Sequence, residues 1–143
     1  VTALSDLTHL FLPGMQGRGS GGIINVASII SFAPFPYMSI YAATKAFVLS
    51  FTQGLWAENY KRGVCILALC PGNTATGFFS GMDVSETDVA KMDKPEDVVK
   101  QALEALEKNR SYVITNWNFK IMARVVRFIP REVWLRLMGR FNR

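Results

Sequence analysis

The chain has 143 residues, of which half are hydrophobic and 19% are charged, and its formal net charge is +5. That length and apolar content are those of one folded domain and exclude an intrinsically disordered chain. No apolar run approaches the roughly 20 residues that a membrane-spanning helix requires, and the first residues, VTALSDLTHL, have neither the basic start nor the cleavage site of a signal peptide.

Apolar residues at helical spacing over ALSDLTHLFL predict a first helix, which Pro13 and Gly14 should end. The following GRGSGG has the glycine spacing of a dinucleotide phosphate loop, through Gly17, Gly19 and Gly22. Such a loop needs a strand before the glycines and a helix after them. Here a helix precedes them, and GIINVASII, typical of a strand buried on both faces, follows. We therefore interpret the glycines as a surface turn from helix to strand.

The rest of the chain continues the alternation of helices and strands. SIYAATKAFVLSFTQGLWAENYKRG predicts a long helix that stops at Gly63, and VCILALCPG predicts a second buried strand. A polar loop of about twenty residues, beginning NTATGFF, is longer than compact domains usually contain without a purpose. KPEDVVKQALEALEKN then predicts a helix with Pro95 at its first position, and SYVITN a third strand. This order predicts a doubly wound α/β fold with a parallel sheet.

The two cysteines, Cys65 and Cys70, lie in VCILALC. Side chains alternate along a strand, so these two should point to opposite faces and can neither pair nor bind one metal ion. We expect buried, reduced thiols and a cytoplasmic location. His9, the only histidine, has no Cys, Asp or Glu at ligand spacing, and no metal site is predicted.

Tyr41 and Lys45 lie four residues apart on the predicted long helix and therefore share a face. A phenol has a pKa of about 10, and a neighbouring ammonium favours its ionised form, which suits proton transfer. Such a pair alone also fits an ordinary helix surface. Ser28, however, closes the preceding strand 13 residues before Tyr41, and PGNTAT follows the next strand. Ligands of doubly wound sheets gather at the carboxyl ends of strands, so we expect these residues to converge.

Together these motifs resemble the short-chain dehydrogenase/reductase family of NAD(P)-dependent, Rossmann-type oxidoreductases. The resemblance rests on IINVAS, on YAATKAF, on the interval from Ser28 to Tyr41 and on ALCPGNTATGF, and it covers residues 1 to about 116. It implies that Tyr41 is the general acid or base and that Lys45 binds the nicotinamide ribose and stabilises the phenolate. It also implies that Ser28 hydrogen-bonds the substrate oxygen.

The resemblance implies further binding residues. Those expected to contact the cofactor follow the second strand: Pro71, Gly72, Thr74 and Thr76. Those expected to cover an apolar substrate as a lid, or else to be hydrophobic filler, lie in the long loop: Phe78, Phe79 and Met82. The implied cofactor is NADP or NAD, with NADP slightly favoured, and the implied substrate is a carbonyl or alcohol on a mostly apolar molecule. Helices that flank IINVAS often dimerise in this family, so a homo-oligomer is also implied.

The chain departs from the family pattern at its beginning. The glycine motif T-G-x-x-x-G-x-G and the catalytic asparagine of the family have no counterpart from Val1 onward. We therefore expect residues 1–116 to be the second half of a reductase domain, with an exposed apolar edge at IINVAS that would make the isolated polypeptide poorly soluble or dependent on a partner. The alternative is a catalytically silent fragment that acts as a binding or scaffold module. The short carboxyl region argues against the extended epimerase or dehydratase branch.

Residues 117–143 form a basic tail with seven basic residues and one acidic residue, a net charge of +6. Helical spacing places basic residues on one face, namely Lys120, Arg124, Arg127 and Arg131. It places apolar residues on the other, namely Ile121, Val125, Phe128 and Ile129, and Pro130 begins a second short helix. The apolar face either lies on an anionic membrane surface or packs on the reductase domain at the substrate entrance. No nucleic-acid recognition motif accompanies the charge, so no nucleic-acid partner is expected.

Overall fold

The computed structural model describes residues 1–77 and 92–141 as an α/β fold with a three-stranded parallel sheet. The elements in chain order are α1 (Thr2–Arg18), β1 (Gly21–Val26), a 3₁₀ turn (Ile29–Phe32), α2 (Ser39–Asn59), β2 (Val64–Cys70), α3 (Pro95–Glu107), β3 (Tyr112–Ile114), α4 (Trp117–Val125), a second 3₁₀ turn (Val126–Phe128) and α5 (Arg131–Phe141). The predicted fold class is confirmed.

The sheet has the order β1-β2-β3, with β2 in the centre. Ile24 of β1 lies opposite Leu67, and Leu69 of β2 lies opposite Val113. Strand β2 is buried along almost its whole length, as its continuous apolar sequence predicts. Strand β1 pairs with β2 alone in the part of the chain that is described, and it is less buried than predicted, with Val26 51% exposed. It is therefore an edge strand in this chain.

Helices cover both faces of the sheet, which is the doubly wound arrangement. On one face, Val48 and Leu49 of α2 pack with Cys70. On the other face, α3 packs on Leu67 and Leu69 of β2 through its buried residues Val98, Ala102 and Ala105. Since residues alternate along β2, Cys65 lies on the α3 side and is half-buried, and both cysteines are free thiols. The prediction of opposite faces is confirmed.

Helix α1 continues past Pro13, and the prediction that Pro13 and Gly14 end it is wrong. Leu12 and Met15, on either side of the proline, pack against the sheet, and this packing outweighs the lost backbone hydrogen bond. The helix ends at Gly19, which has φ 66° and the left-handed conformation that glycine adopts readily. GRGSGG is thus a helix end and a turn into β1, which agrees with its interpretation as a helix-to-strand connection.

Buried polar side chains fix α2 on its neighbours. Asn25 Nδ2 of β1 donates to Thr52 Oγ1 at 3.1 Å, and that hydroxyl donates to the Val48 carbonyl at 2.6 Å. At the far end of α2, the fully buried Asn59 accepts a hydrogen bond from Gln16 Nε2 at 2.6 Å. These contacts join α2 to β1 and to α1, so the helix that carries Tyr41 and Lys45 has a defined position on the sheet.

The tail packs on the rest of the chain through residues other than the predicted apolar face. Its buried or half-buried contacts include Phe119, Ala123 and Val126. Ile121, Val125 and Phe128 are exposed instead, by 47%, 50% and 88%. Ile129, the fourth residue of the predicted face, is half-buried, so three of its four residues are exposed rather than packed on the reductase domain. No helix among residues 1–77 and 92–141 has the length and apolar content to cross a bilayer.

Candidate active site

Ser28 lies just beyond β1 and is buried, at 9% exposure. It is not the last residue of the strand but the N-cap of the first 3₁₀ turn. Its Oγ accepts a hydrogen bond from the Ile30 N–H at 3.4 Å, and its own N–H donates to Ser31 Oγ at 3.2 Å. This reciprocal pair fixes the serine at the carboxyl end of the sheet.

The segment with Ser28 is attached to the segment that follows β2. The Ala27 N–H donates to the Leu69 carbonyl at 2.8 Å, and the Ile29 N–H donates to the Pro71 carbonyl at 3.0 Å. These bonds extend the parallel pairing beyond the ends of both strands. Ser28 is consequently held beside Pro71, as predicted from the common edge where parallel strands end.

Tyr41 and Lys45 stand on the first turns of α2, where helical spacing brings them together. Lys45 Nζ lies 5.7 Å from the centroid of the Tyr41 ring and donates a hydrogen bond to the Val26 carbonyl at 2.9 Å. Val26 is two residues before Ser28. Lys45 thus connects the helix carrying the phenol to the strand that leads to the serine.

Burial shapes the electrostatics beside Lys45. Loss of hydration lowers the pKa of the half-buried Lys45 ammonium, and the neighbouring Cys70 acts in the opposite direction. Burial raises the pKa of the Cys70 thiol to about 12, and a hydrogen bond with the Ser28 backbone and the Lys45 charge only partly counteract this. Cys70 is therefore bonded to the Ser28 backbone and lies within reach of the Lys45 charge. The sequence predicted that Cys70 is buried but did not place it in the candidate site. The signal that could have placed it there is that Cys70 directly precedes Pro71.

Gly72 lies where the site meets the tail. A methyl group at this position would overlap the Phe119 ring of α4, so only glycine fits without displacing the tail. Beyond it, Thr74 Oγ1 donates to the Gly72 carbonyl at 3.3 Å and Thr76 Oγ1 donates to the Thr74 carbonyl at 3.4 Å. Both hydroxyls stabilise the turn after β2, and their contacts with a cofactor stay predictions.

Asp93, which sequence reasoning missed, fixes the described ends of the long loop. Its backbone pairs with Asn73 and Ala75, at 2.9 and 3.0 Å. Its carboxylate accepts hydrogen bonds from Thr115 Oγ1 at 3.3 Å and Asn116 Nδ2 at 3.1 Å. Asp93 thus ties the residues after β2 to those after β3. The predicted lid residues Phe78, Phe79 and Met82 lie outside the described residues.

Comparison with known proteins agrees with this arrangement. The family model described as short chain dehydrogenase matches residues 1–87, more than half of the chain. The chain belongs to the short-chain dehydrogenase family. The matched segment includes the Ser28 turn, the Tyr41 and Lys45 pair and the Pro71 turn.

Relatives of known activity in this family are longer than the chain. HetN, a ketoacyl reductase of Nostoc sp., is 33% identical over 92% of this chain and 48% of its own length. The very-long-chain 3-oxoacyl-CoA reductase of Rattus norvegicus is 30% identical over the whole of this chain and 44% of its own length. The chain thus spans about half the length of the curated relatives it matches.

Solved structures of family members superpose on the chain. A structure from a study of 7β-hydroxysteroid dehydrogenase stereoselectivity has a TM-score of 0.84 at 26% identity and covers 97% of this chain and 55% of that one. A short-chain dehydrogenase from Sphingobium yanoikuyae, in complex with NADPH, has a TM-score of 0.72 at 32% identity and covers 82% of this chain and 46% of that one. The Rossmann-type fold is therefore shared.

Proposed function

We propose that the complete natural protein containing this chain is an NAD(P)-dependent oxidoreductase that reduces a carbonyl, or oxidises the corresponding alcohol, on a mostly apolar substrate. Family membership supports the reaction class. The observation that carries the proposal is the position of Lys45, whose ammonium lies near the Tyr41 ring and is bonded to the Val26 carbonyl just before Ser28. A phenol, an ammonium and a hydroxyl at one sheet edge suit proton transfer to a carbonyl oxygen.

Each side chain has a separate role in this proposal. Tyr41 donates a proton to the carbonyl oxygen during reduction and accepts it in the reverse direction. The Ser28 hydroxyl donates a hydrogen bond to the same oxygen and stabilises the charge that develops on it. Lys45 positions the phenol, because it stands on the same face of α2 and its ammonium is bonded to the Val26 carbonyl.

The donors near β1 and β2 suit a nicotinamide nucleotide. An ammonium has three N–H donors and the Val26 carbonyl takes one, so the other two can donate to ribose hydroxyls. We propose contacts with the cofactor from residues after β2 as well: Pro71, Gly72, Thr74 and Thr76. A bound nicotinamide would supply or accept the hydride. The NADPH held by the Sphingobium yanoikuyae relative supports NADP as the better candidate.

A 3-oxoacyl thioester is the substrate class that the relatives favour. HetN is named as a ketoacyl reductase, and the rat relative is named for very-long-chain 3-oxoacyl-CoA. Both names describe a carbonyl on an apolar acyl chain, in agreement with the apolar substrate predicted from the loop residues.

A homo-oligomer also belongs to the proposal. Leu10 and Phe11 on α1 are 69% and 57% exposed, and Phe47 on α2 is 41% exposed and stacks on Phe51. Large apolar side chains on the two helices that flank β1 suit a contact with a second copy. The oligomeric state measured by light scattering tests this part of the proposal.

The test of catalysis is Tyr41→Phe in the complete natural protein, with NADPH consumption measured against 3-oxoacyl-CoA substrates. Removing the phenolic proton should lower kcat by about 100-fold or more while NADPH binding persists. Tyr37→Phe is the matched control, because Tyr37 is 68% exposed and lies only four residues away. It should leave kcat unchanged.

The same measurements distinguish the silent binding or scaffold module. A pure, folded protein that neither binds NADPH nor consumes it would support that alternative. Equal activity of the Tyr41→Phe variant and the unchanged protein would refute the role of Tyr41.

A further inference from the structure

The tail presents an outward apolar surface, which we call the outer stripe: Trp117, Ile121, Val125 and Phe128. These four side chains are 67%, 47%, 50% and 88% exposed. Their spacing of four, four and three residues places them along one side of α4 and the 3₁₀ turn after it. Solvent exposure of a contiguous set of large apolar side chains marks a surface that contacts something else.

The orientation of this segment is fixed by its opposite side. Ala123 and Val126 are buried, at 4% and 9% exposure, and Phe119 packs into the cluster around Ala68 and Ile114. In addition, α5 donates a hydrogen bond from Trp134 Nε1 to the Pro34 carbonyl at 2.8 Å. The tail is therefore attached to the sheet, and the outer stripe points away from it.

A basic groove runs beside the outer stripe, between α3, β3 and α4, with a volume of about 470 Å³. Five basic residues line it: Lys108, Arg110, Lys120, Arg124 and Arg127. Glu104 is the carboxylate among its described lining residues. The Arg127 guanidinium lies 5.9 Å from the centre of the Phe32 ring. The groove therefore attracts anions such as phosphate.

The outer stripe and the basic groove share the same helical segment, since Lys120, Arg124 and Arg127 alternate with the stripe residues. We propose that this surface docks on an anionic phospholipid membrane. The outer stripe enters the boundary between head groups and acyl chains, and the basic groove binds lipid phosphates. Apolar burial and attraction to anionic lipid act together in this way on interfacial helices.

Charge complementarity favours a membrane over a second copy of the chain. Residues 117–143 carry a net charge of +6, so two tails brought face to face would repel each other, whereas an anionic surface attracts them. Trp117 at one end of the outer stripe is also suited to the interface, because its indole combines an apolar ring with a polar N–H.

The apolar part of the surface is tested with Phe128→Ser in the complete natural protein, by flotation with phosphatidylcholine vesicles that contain phosphatidylserine. Losing one exposed phenyl ring from the membrane contact should weaken binding by about tenfold or more. Leu103→Ser is the matched control, because Leu103 is a large apolar residue of α3 that is 49% exposed and lies outside the outer stripe. It should bind vesicles as the unchanged protein does.

The basic part is tested with the double variant Arg124→Gln and Arg127→Gln. It should bind the same vesicles about tenfold or more weakly. The matched control is Lys61→Gln with Arg62→Gln, a pair of exposed basic residues just after α2, which should bind normally. Vesicles of phosphatidylcholine alone should bind poorly, and inorganic phosphate measured by calorimetry distinguishes a free-phosphate site from a membrane site.

The proposal would be overturned by no binding to phosphatidylserine vesicles, by equal losses in the tail variants and their controls, or by binding of inorganic phosphate without binding of vesicles. A tail variant that changes the oligomeric state and leaves vesicle binding intact would also overturn it. The Tyr41→Phe variant should float with vesicles like the unchanged protein, so failure of the catalytic proposal and failure of this one are separate outcomes.

Discussion

The candidate active-site region and the tail differ in which side chains they bury. Around β1 and α2, polar side chains are buried, including Asn25, Thr52 and Asn59. On α4 and the turn after it, large apolar side chains such as Trp117 and Phe128 are exposed. Burying a polar group destabilises the fold unless the group is hydrogen-bonded. A contiguous apolar patch exposed to water is unfavourable unless another surface covers it. The buried polar groups around β1 and α2 are hydrogen-bonded within the chain. The outer stripe is exposed in the described residues.

Direct contacts join the candidate site and the tail. Gly72, after β2, lies against the Phe119 ring of α4, and Trp134 of α5 donates to the Pro34 carbonyl between Ser28 and Tyr41. The tail is thereby attached beside the proposed catalytic segment.

The strongest test of the buried polar contacts around β1 and α2 is Thr52→Val. The variant keeps the shape of the side chain but leaves the buried Asn25 Nδ2 without its partner, so the free energy of unfolding should fall by about 2 kcal/mol. Thr2→Val, at an exposed position of α1, is the matched control and should change stability by less than about 0.5 kcal/mol. Equal losses of stability for Thr52→Val and Thr2→Val in urea denaturation would show that the buried hydrogen bond contributes nothing beyond an exposed position.

The next largest effect is a pH dependence from Cys70. Its pKa of about 12 in the fold exceeds the ordinary value of 9.0, so the unfolded thiol ionises first as the pH rises. Its stability contribution is complete below pH 9 and is lost between pH 9 and 12, with about 1.4 kcal/mol lost by pH 10.

The measurement for this prediction is the free energy of unfolding at pH 7.5 and pH 10, in the presence of a reducing agent. Cys70→Ala should remove the loss that Cys70 causes, so its stability should fall less with pH. The unchanged protein, measured in parallel, should lose more stability between the two pH values than Cys70→Ala. A loss that persists in Cys70→Ala would show that another group causes it.

The smallest expected effect concerns the attachment of the tail. Trp134→Phe removes the hydrogen bond to the Pro34 carbonyl and should lower stability by about 1 kcal/mol in denaturant titration. Trp117→Phe, in the outer stripe, should have nearly no effect because Trp117 is 67% exposed. If Trp117→Phe were the more damaging change, the outer stripe would be packed rather than exposed.

Local sequence signals predicted the elements of this fold well. Pro95 with Glu96 and Asp97 marked the start of α3, and the continuous apolar run VCILALC marked the central strand. The proximity of Tyr41 and Lys45 also followed from local spacing, since helix geometry alone brings residues four apart onto one face. Signals of this kind work because they depend only on residues within one short segment, such as the spacing of side chains along a helix or a strand.

Long-range contacts account for what was missed. Pro13 did not end α1, because the packing of its neighbours Leu12 and Met15 on the sheet outweighed local propensity. Asp93 bonds to Thr115 and Asn116, more than twenty residues away, and no spacing rule connects them. Neither contact can be derived from periodicity.

The sequence determined the order of helices and strands, the shared face of Tyr41 and Lys45, and the family to which these residues point. Tertiary structure alone decided which side of the tail faces the sheet. An amphipathic pattern defines two faces of a helix but does not say which surface receives either one. Here Phe119, Ala123 and Val126 fit against the sheet and Gly72, and their burial leaves the outer stripe exposed to solvent.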